Sequence, residues 1–263
     1  MRRLALLLVP AIAILLPATA AAAPTAPGRY VALGDSYAVG VGTYTYDDPN
    51  DACRRGPLAY SRLWAAAHPS TTYVEESCSG AEVADVVNQA AAGLTPDTSL
   101  VTVQVGGNDV GFVSVLETCI LNLPDSTCTN AVTTAIDTGR SVLPGSLAGL
   151  YSGIRAKAPS AQVVVMGYPR MYKIGGNCLF GLSDTKRTAL NNAADVLDGL
   201  IQTAAANAGF RFVDAPAVFT GHEICSGNSV WLTSLQWDKL NESYHPTANG
   251  HRGYYSALTA ITG

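Results

Sequence analysis

Four short blocks of this 263-residue chain hold residue types suited to nucleophilic chemistry. Gly34-Asp35-Ser36-Tyr37 ends an apolar run, so Ser36 falls at the close of a predicted strand. A serine hydroxyl is a weak nucleophile and needs a base beside it. On that fragment alone, a turn serine capping the next helix is the simpler reading. Ser77-Cys78-Ser79-Gly80 opens a predicted helix, where a glycine N–H is a natural donor to an oxyanion. Gln104-Val105-Gly106-Gly107-Asn108-Asp109 follows another apolar run. Its two glycines let the backbone turn sharply, so that the Asn108 amide can face the same cleft. Tyr244-His245-Pro246 stands just ahead of the last predicted helix, and Glu242 lies three residues before His245. A hydroxyl, an imidazole, a carboxylate and two amide donors are the parts that covalent acyl transfer needs.

These residues must be positioned by the elements that precede them. Short β-branched runs at 30–33, 71–74, 100–105, 162–166 and 210–213 read as strands. Ala-rich stretches at 57–68, 81–91, 130–156, 184–208 and 247–262 read as helices, with Pro144-Gly145 a candidate break in the third. Strand and helix alternating at this spacing predict an α/β fold. It is a three-layer α/β/α arrangement around a central parallel sheet of about five strands. Ligands of such sheets bind beyond the carboxyl ends of the strands. The stretches 40–56, 106–129, 168–183 and 219–242 break the rhythm and read as long loops at that end. Trp231, Trp237, Tyr168 and Phe180 lie in those loops, where they could line a pocket or simply pack.

The N-terminus is set apart from the fold. Arg2 and Arg3 precede an apolar run at 4–16, followed by Pro17 and small residues through Ala23. That pattern predicts a secretory signal peptide over residues 1–23, cleaved near 20–23, and one domain over 24–263. The run is shorter than the roughly 20 residues of a membrane span, so no stable membrane insertion is expected. Removing the two arginines takes the formal charge from -4 to -6. With only 14% charged residues and no basic run, no nucleic-acid partner is expected. Nothing in the chain suggests a dedicated interface, and a monomer is the default. Six cysteines in an exported chain read as three disulfides. Consecutive pairing (Cys53–Cys78, Cys119–Cys128, Cys178–Cys225) is the simplest of about fifteen connectivities, each bridge closing a local excursion. No C-x-x-C or H-x-x-x-H spacing favours a metal site.

In this order, the four blocks resemble the SGNH hydrolases, also called the GDSL esterase/lipase family, and look most like its secreted actinobacterial members. The likeness runs from Tyr30 to the C-terminus, and the Gly-x-Ser-x-Gly elbow of other serine hydrolases is absent. It implies an SGNH-hydrolase/flavodoxin-like sheet and a carboxylic-ester hydrolase with no cofactor. Ser36 would be the nucleophile and His245 its base, with the Ser36 N–H, the Gly80 N–H and the Asn108 amide as oxyanion hole. The substrate would be a small-molecule or lipid ester, lipid-type esters being favoured over acetylated carbohydrate. The chain departs from the family pattern in reading Gly-Asp-Ser-Tyr for Gly-Asp-Ser-Leu, and in placing Glu242 where many relatives have Asp. Either the Glu242 carboxylate or a backbone carbonyl, of Glu242 or Ser243, is left to orient His245. Asp35 and Asp109 read as loop braces, and His68, His222 and His251 as structural or solvated. A non-catalytic binding protein on the same fold is the rival of another class. It would be expected to have lost Ser36, Asn108 or His245, and all three are present.

Overall fold

The computed structural model describes residues 28–178, 181–227 and 229–263. The expected signal peptide lies outside them, as does Phe180. Five strands, β1 (Arg29–Gly34), β2 (Thr72–Glu75), β3 (Leu100–Gln104), β4 (Gln162–Met166) and β5 (Arg211–Val213), form one sheet in the order β2-β1-β3-β4-β5. Every pairing is parallel. The sequence of β3, Leu-Val-Thr-Val-Gln, is buried at every position. β4 is buried at all but its first residue. Continuous apolar runs of this kind mark strands covered on both faces.

The helices are α1 (Ser36–Val39), α2 (Tyr60–Ala67), α3 (Val83–Gly93), α4 (Phe112–Leu121), α5 (Asp125–Lys157), α6 (Asp184–Asn207), α7 (Ala215–Val218) and α8 (Ala248–Thr262). Helices α3, α4 and α6 pack on α5, while α2 and α7 pack on α8, which gives the two outer layers. Their starts are written in side chains. Ser183 accepts from Lys186 N–H to cap α6, Thr247 accepts from Gly250 N–H to cap α8, and Glu82 and Asp85 form a reciprocal capping box at α3.

Two expectations about the middle of the chain need correction. The stretch 106–129 is not a continuous loop, because it contains α4 and the first turn of α5. No side chain caps α4 at Gly111, so the usual starting signal is missing. Its end is instead fixed by Lys186, whose ammonium is buried and donates to the carbonyls of Cys119 and Asn122. A cation at a helix C-terminus meets the negative end of the dipole there. The second correction is that Pro144 does not break α5, which runs through it. Pro144 and Arg140 are exposed, so the Arg140 carbonyl that loses its partner faces water.

Disulfides join Cys53 to Cys78, Cys119 to Cys128 and Cys178 to Cys225. The first ties the loop after α1 to the turn after β2. The second staples α4 to α5, and the third links the segment after β4 to the one after α7.

Candidate active site

β1 ends at Gly34, and the chain turns at once into α1, whose N-cap is Asp35. The Asp35 carboxylate accepts from the Tyr37 N–H at 2.9 Å, which fixes that turn. Ser36 is thereby the first residue of α1, where a backbone N–H has no partner within the helix. Asp35 is buried and also accepts from the Tyr168 hydroxyl. Burial pushes its carboxyl up to about 7, against those two hydrogen bonds.

The Ser36 hydroxyl lies 2.8 Å from His245 Nε2, across 209 residues of sequence. On the other side of the ring, His245 Nδ1 lies 2.8 Å from the Ser243 carbonyl oxygen. A carbonyl only accepts, so Nδ1 carries the hydrogen and Nε2 is left to accept from Ser36. This is the tautomer a general base requires. Burial is the main influence on the imidazole and pushes its pKa down to about 4, partly opposed by the Ser243 bond and the Glu242 charge.

The turn that presents His245 is pinned from several directions. Thr233 donates its hydroxyl to the Glu242 carbonyl, accepts from the His245 N–H at 3.1 Å, and pairs its own N–H with the His245 carbonyl at 2.9 Å. Tyr37 donates to the Tyr244 carbonyl, and its ring lies 5.2 Å from the imidazole. Gly42 packs on the far side, where an added Cβ would stand 2.8 Å from the His245 Cβ and 2.7 Å from the Pro246 carbonyl oxygen. Any side chain there would push the histidine off its line.

The Glu242 carboxylate does not bond the imidazole. It accepts from the Gly42 N–H at 2.8 Å and the Tyr46 hydroxyl at 2.6 Å, and it pairs with the Arg54 guanidinium. The Nδ1 partner is a backbone atom of the following residue. Of the alternatives the sequence left open, the Ser243 carbonyl is the one that meets Nδ1.

Asn108 and Gly80 meet through Ala81. The Asn108 Nδ2 donates to the Ala81 carbonyl at 3.0 Å, which aims the amide and leaves its second N–H free for a ligand. Asp109 holds the Val83 N–H at the start of α3. Gly80 is exposed, at φ +83°, with open space where a side chain would stand. Ser36, Asn108 and His245 line one cavity. Beyond them its walls are Val110, Phe112, Leu116, Ile136, Leu143 and Leu197, from the turn after β3 and from α4, α5 and α6. Tyr168 and Met171 complete it near the serine.

The other aromatics and histidines fall elsewhere. Trp231 packs against Phe219 and His222, with ring centroids at 5.6 and 3.7 Å. Trp237 is exposed. His251 is fully buried beside Tyr60, whose N–H it accepts at 3.3 Å, and His68 stacks on Trp64. Among the described residues, no group of three or more His, Cys, Asp or Glu is arranged to hold a metal. Thr233, Arg54 and Tyr46 escaped the sequence reading, because side chains so far from the motifs carry no local signal.

Relatives align with this frame. The profile of the GDSL-like Lipase/Acylhydrolase family matches residues 32–252, a span that includes Ser36, Gly80, Asn108 and His245. Lipase 1 of Streptomyces coelicolor is 48% identical over 235 residues, covering 89% of this chain and 87% of that protein. A lipase of Streptomyces rimosus is 43% identical over 260 residues, covering 98% and 96%. The crystal structure of phospholipase A1 from Streptomyces albidoflavus NA297 superposes with a TM-score of 0.86 at 50% identity, covering 89% of this chain and 99% of that one. The chain is therefore a carboxylic-ester hydrolase that belongs to the GDSL-like lipase/acylhydrolase family.

Proposed function

We propose that the chain is a secreted esterase/lipase that cleaves lipid-type carboxylic esters through an acyl-enzyme on Ser36. The observation that carries this reading is the line from Ser36 Oγ through His245 to the Ser243 carbonyl, opening into an apolar cavity. As Ser36 attacks the ester carbonyl, Nε2 takes its proton and the imidazolium is stabilised by Nδ1–H donating to Ser243. The carbonyl oxygen becomes an oxyanion held by the N–H of Ser36, the N–H of Gly80 and the Asn108 amide, each such donor being worth about 10²–10³ in rate. His245 then protonates the departing alcohol, and water releases the acyl group by the same steps in reverse. Ser36 and His245 thus act as a dyad with a main-chain brace.

The acyl group is assigned to the cavity walls between α4, α5 and α6. Their composition favours a hydrocarbon chain over the acetyl group of a carbohydrate ester, which needs only a short slot. Tyr44, Trp237 and Leu240, which are 45%, 71% and 58% exposed, lie on the segments that flank His245 and suit a dispersed lipid substrate. Lipase and phospholipase A1 are the names of relatives at 43–50% identity. Export is supported by the signal-like N-terminus, the three disulfides and a 42%-identical relative described as an extracellular lipase. Residues 24–263 then form the mature single domain. Among the described residues, no helix is long and apolar enough to cross a membrane.

The test is hydrolysis of p-nitrophenyl esters from acetyl to palmitoyl by the wild type and Ser36→Ala. Loss of kcat/KM of at least about 10³-fold in the variant, with a long-chain optimum in the wild type, is the expected pattern. An acetyl optimum would shift the assignment to the acetylesterase, and equal inertness of both proteins would favour the binding-protein alternative.

A further inference from the structure

Glu242 is 4% exposed and adjoins the residue that braces the imidazole, yet its carboxylate points to another part of the chain. Its partners are Arg54, Tyr46 and Gly42, all from the loop after α1. Arg54 also donates to the Tyr46 hydroxyl at 3.2 Å, and its guanidinium lies 4.9 Å from the centre of that ring. The same short stretch of loop grips the turn after β2. Cys53 is bonded to Cys78, the Cys53 carbonyl accepts from the Ser79 N–H at 3.1 Å, and Arg55 Nε donates to the Ser77 carbonyl at 3.0 Å. Gly80 is the next residue of that turn.

Residues 53–55 therefore hold the oxyanion turn on one side and Glu242 on the other. Among the described residues, four non-glycine residues have left-handed backbones, and three of them, Tyr44 (φ +57°), Arg54 (φ +58°) and Tyr244 (φ +63°), lie on these segments. Strain of that kind persists only where the surroundings over-determine the backbone. We propose that the Arg54–Glu242 pair is a positioning device that sets the oxyanion turn at Gly80 and the imidazole of His245 in one register. This rests on the assignment of Ser36 and His245 as nucleophile and base.

A charged pair does this differently from an apolar contact. Its bonds fix the position of the Ser243 carbonyl through the adjacent residue, while its opposite charges largely cancel at the imidazole. Removing one partner leaves the other uncompensated beside the ring. The other groups around His245 are Tyr37 and Asp35 at the start of α1, Tyr168 after β4, Tyr46 on the loop, Tyr172 and Tyr244, and His251 of α8. All of them are common to the variants below, so differences between profiles report the pair.

The experiment is the pH dependence of kcat/KM on p-nitrophenyl butyrate for the wild type, Glu242→Gln, Arg54→Met, Arg54→Lys and the double variant Arg54→Met/Glu242→Gln. In Glu242→Gln the bare guanidinium disfavours the imidazolium, and the acid limb moves to lower pH. In Arg54→Met the bare carboxylate favours it, and the limb moves to higher pH. Opposite displacements of at least about half a pH unit are expected, with kcat lowered about ten-fold and KM little changed. The double variant returns the limb towards that of the wild type without returning kcat. Arg54→Lys keeps the charge and the limb but loses the planar fork, and with it part of kcat. Limbs that coincide with the wild type, or move in one direction while only melting temperature falls, would reduce the pair to a structural strut and overturn the proposal. Arg54→Lys keeps that outcome readable if the other variants fail to fold. Full activity in Ser36→Ala and His245→Ala controls would instead overturn the underlying site assignment.

Discussion

With Nδ1–H committed to the Ser243 carbonyl, His245 can serve as a base only from Nε2, and only while neutral. Burial lowers its pKa towards about 4, so the neutral base persists well below the ordinary histidine range. Activity is present above the lowered value and is lost as pH falls through it, not as pH falls through about 6.5. The acid limb of kcat/KM for a soluble ester should therefore lie clearly below pH 6, and a limb at an unshifted histidine value would show that the ring is better solvated than its packing implies. Asn108 gives a second expectation at this scale. Asn108→Ala removes one of the proposed oxyanion donors and should lower kcat by about 10²–10³ while KM changes little. A comparable loss confined to KM would move Asn108 from the transition state to ground-state binding.

Helix α5 is one wall of the cavity. It lines the cavity with Ala135, Ile136, Gly139 and Leu143, the spacing of one helical face. A Cβ on Gly139 would come 3.1 Å from Val110 Cγ1 and 3.6 Å from Leu200 Cδ1, so the position is small because its neighbours occupy the space. Gly139→Leu should push Val110 and Leu200, which also line the cavity, into it and shift the ester optimum to shorter acyl chains. The expected destabilisation is about 1–3 kcal/mol, read from thermal melting. An unchanged ratio of palmitoyl to butyryl turnover would mean the acyl chain lies elsewhere. The strands were legible because β-branched runs such as Val163-Val164-Val165 have few other uses in a chain of this length. Helix α4 was not, because Gly111 offers no cap and the ammonium that ends the helix arrives from Lys186, more than sixty residues later. The brace on His245 was illegible for another reason. A backbone carbonyl has no residue type, so the sequence advertised the Glu242 carboxylate and was silent about the Ser243 oxygen.

At the scale of the whole molecule, two of the three disulfides are expected to differ in what they do for stability and for activity. Cys119–Cys128 staples α4 to α5, whereas Cys53–Cys78 lies between the Arg54 loop and the Gly80 turn. Removing either by paired Cys→Ala substitution should cost about 2–5 kcal/mol of stability. Only loss of Cys53–Cys78 is expected to lower kcat on a short ester at a temperature where both variants remain folded. Equal loss of kcat in the two would mean that general loosening, not the oxyanion turn, limits the rate. All of these expectations presuppose that the hydroxyl of Ser36 is the atom that is acylated. The most direct test is to inactivate the protein with a long-chain alkyl fluorophosphonate and map the adduct by peptide mass spectrometry. The expected result is a single adduct on Ser36, formed in proportion to the loss of ester hydrolysis and absent from Ser36→Ala. Inactivation with Ser36 unmodified, or an adduct on another residue that tracks the lost activity, would contradict the assignment.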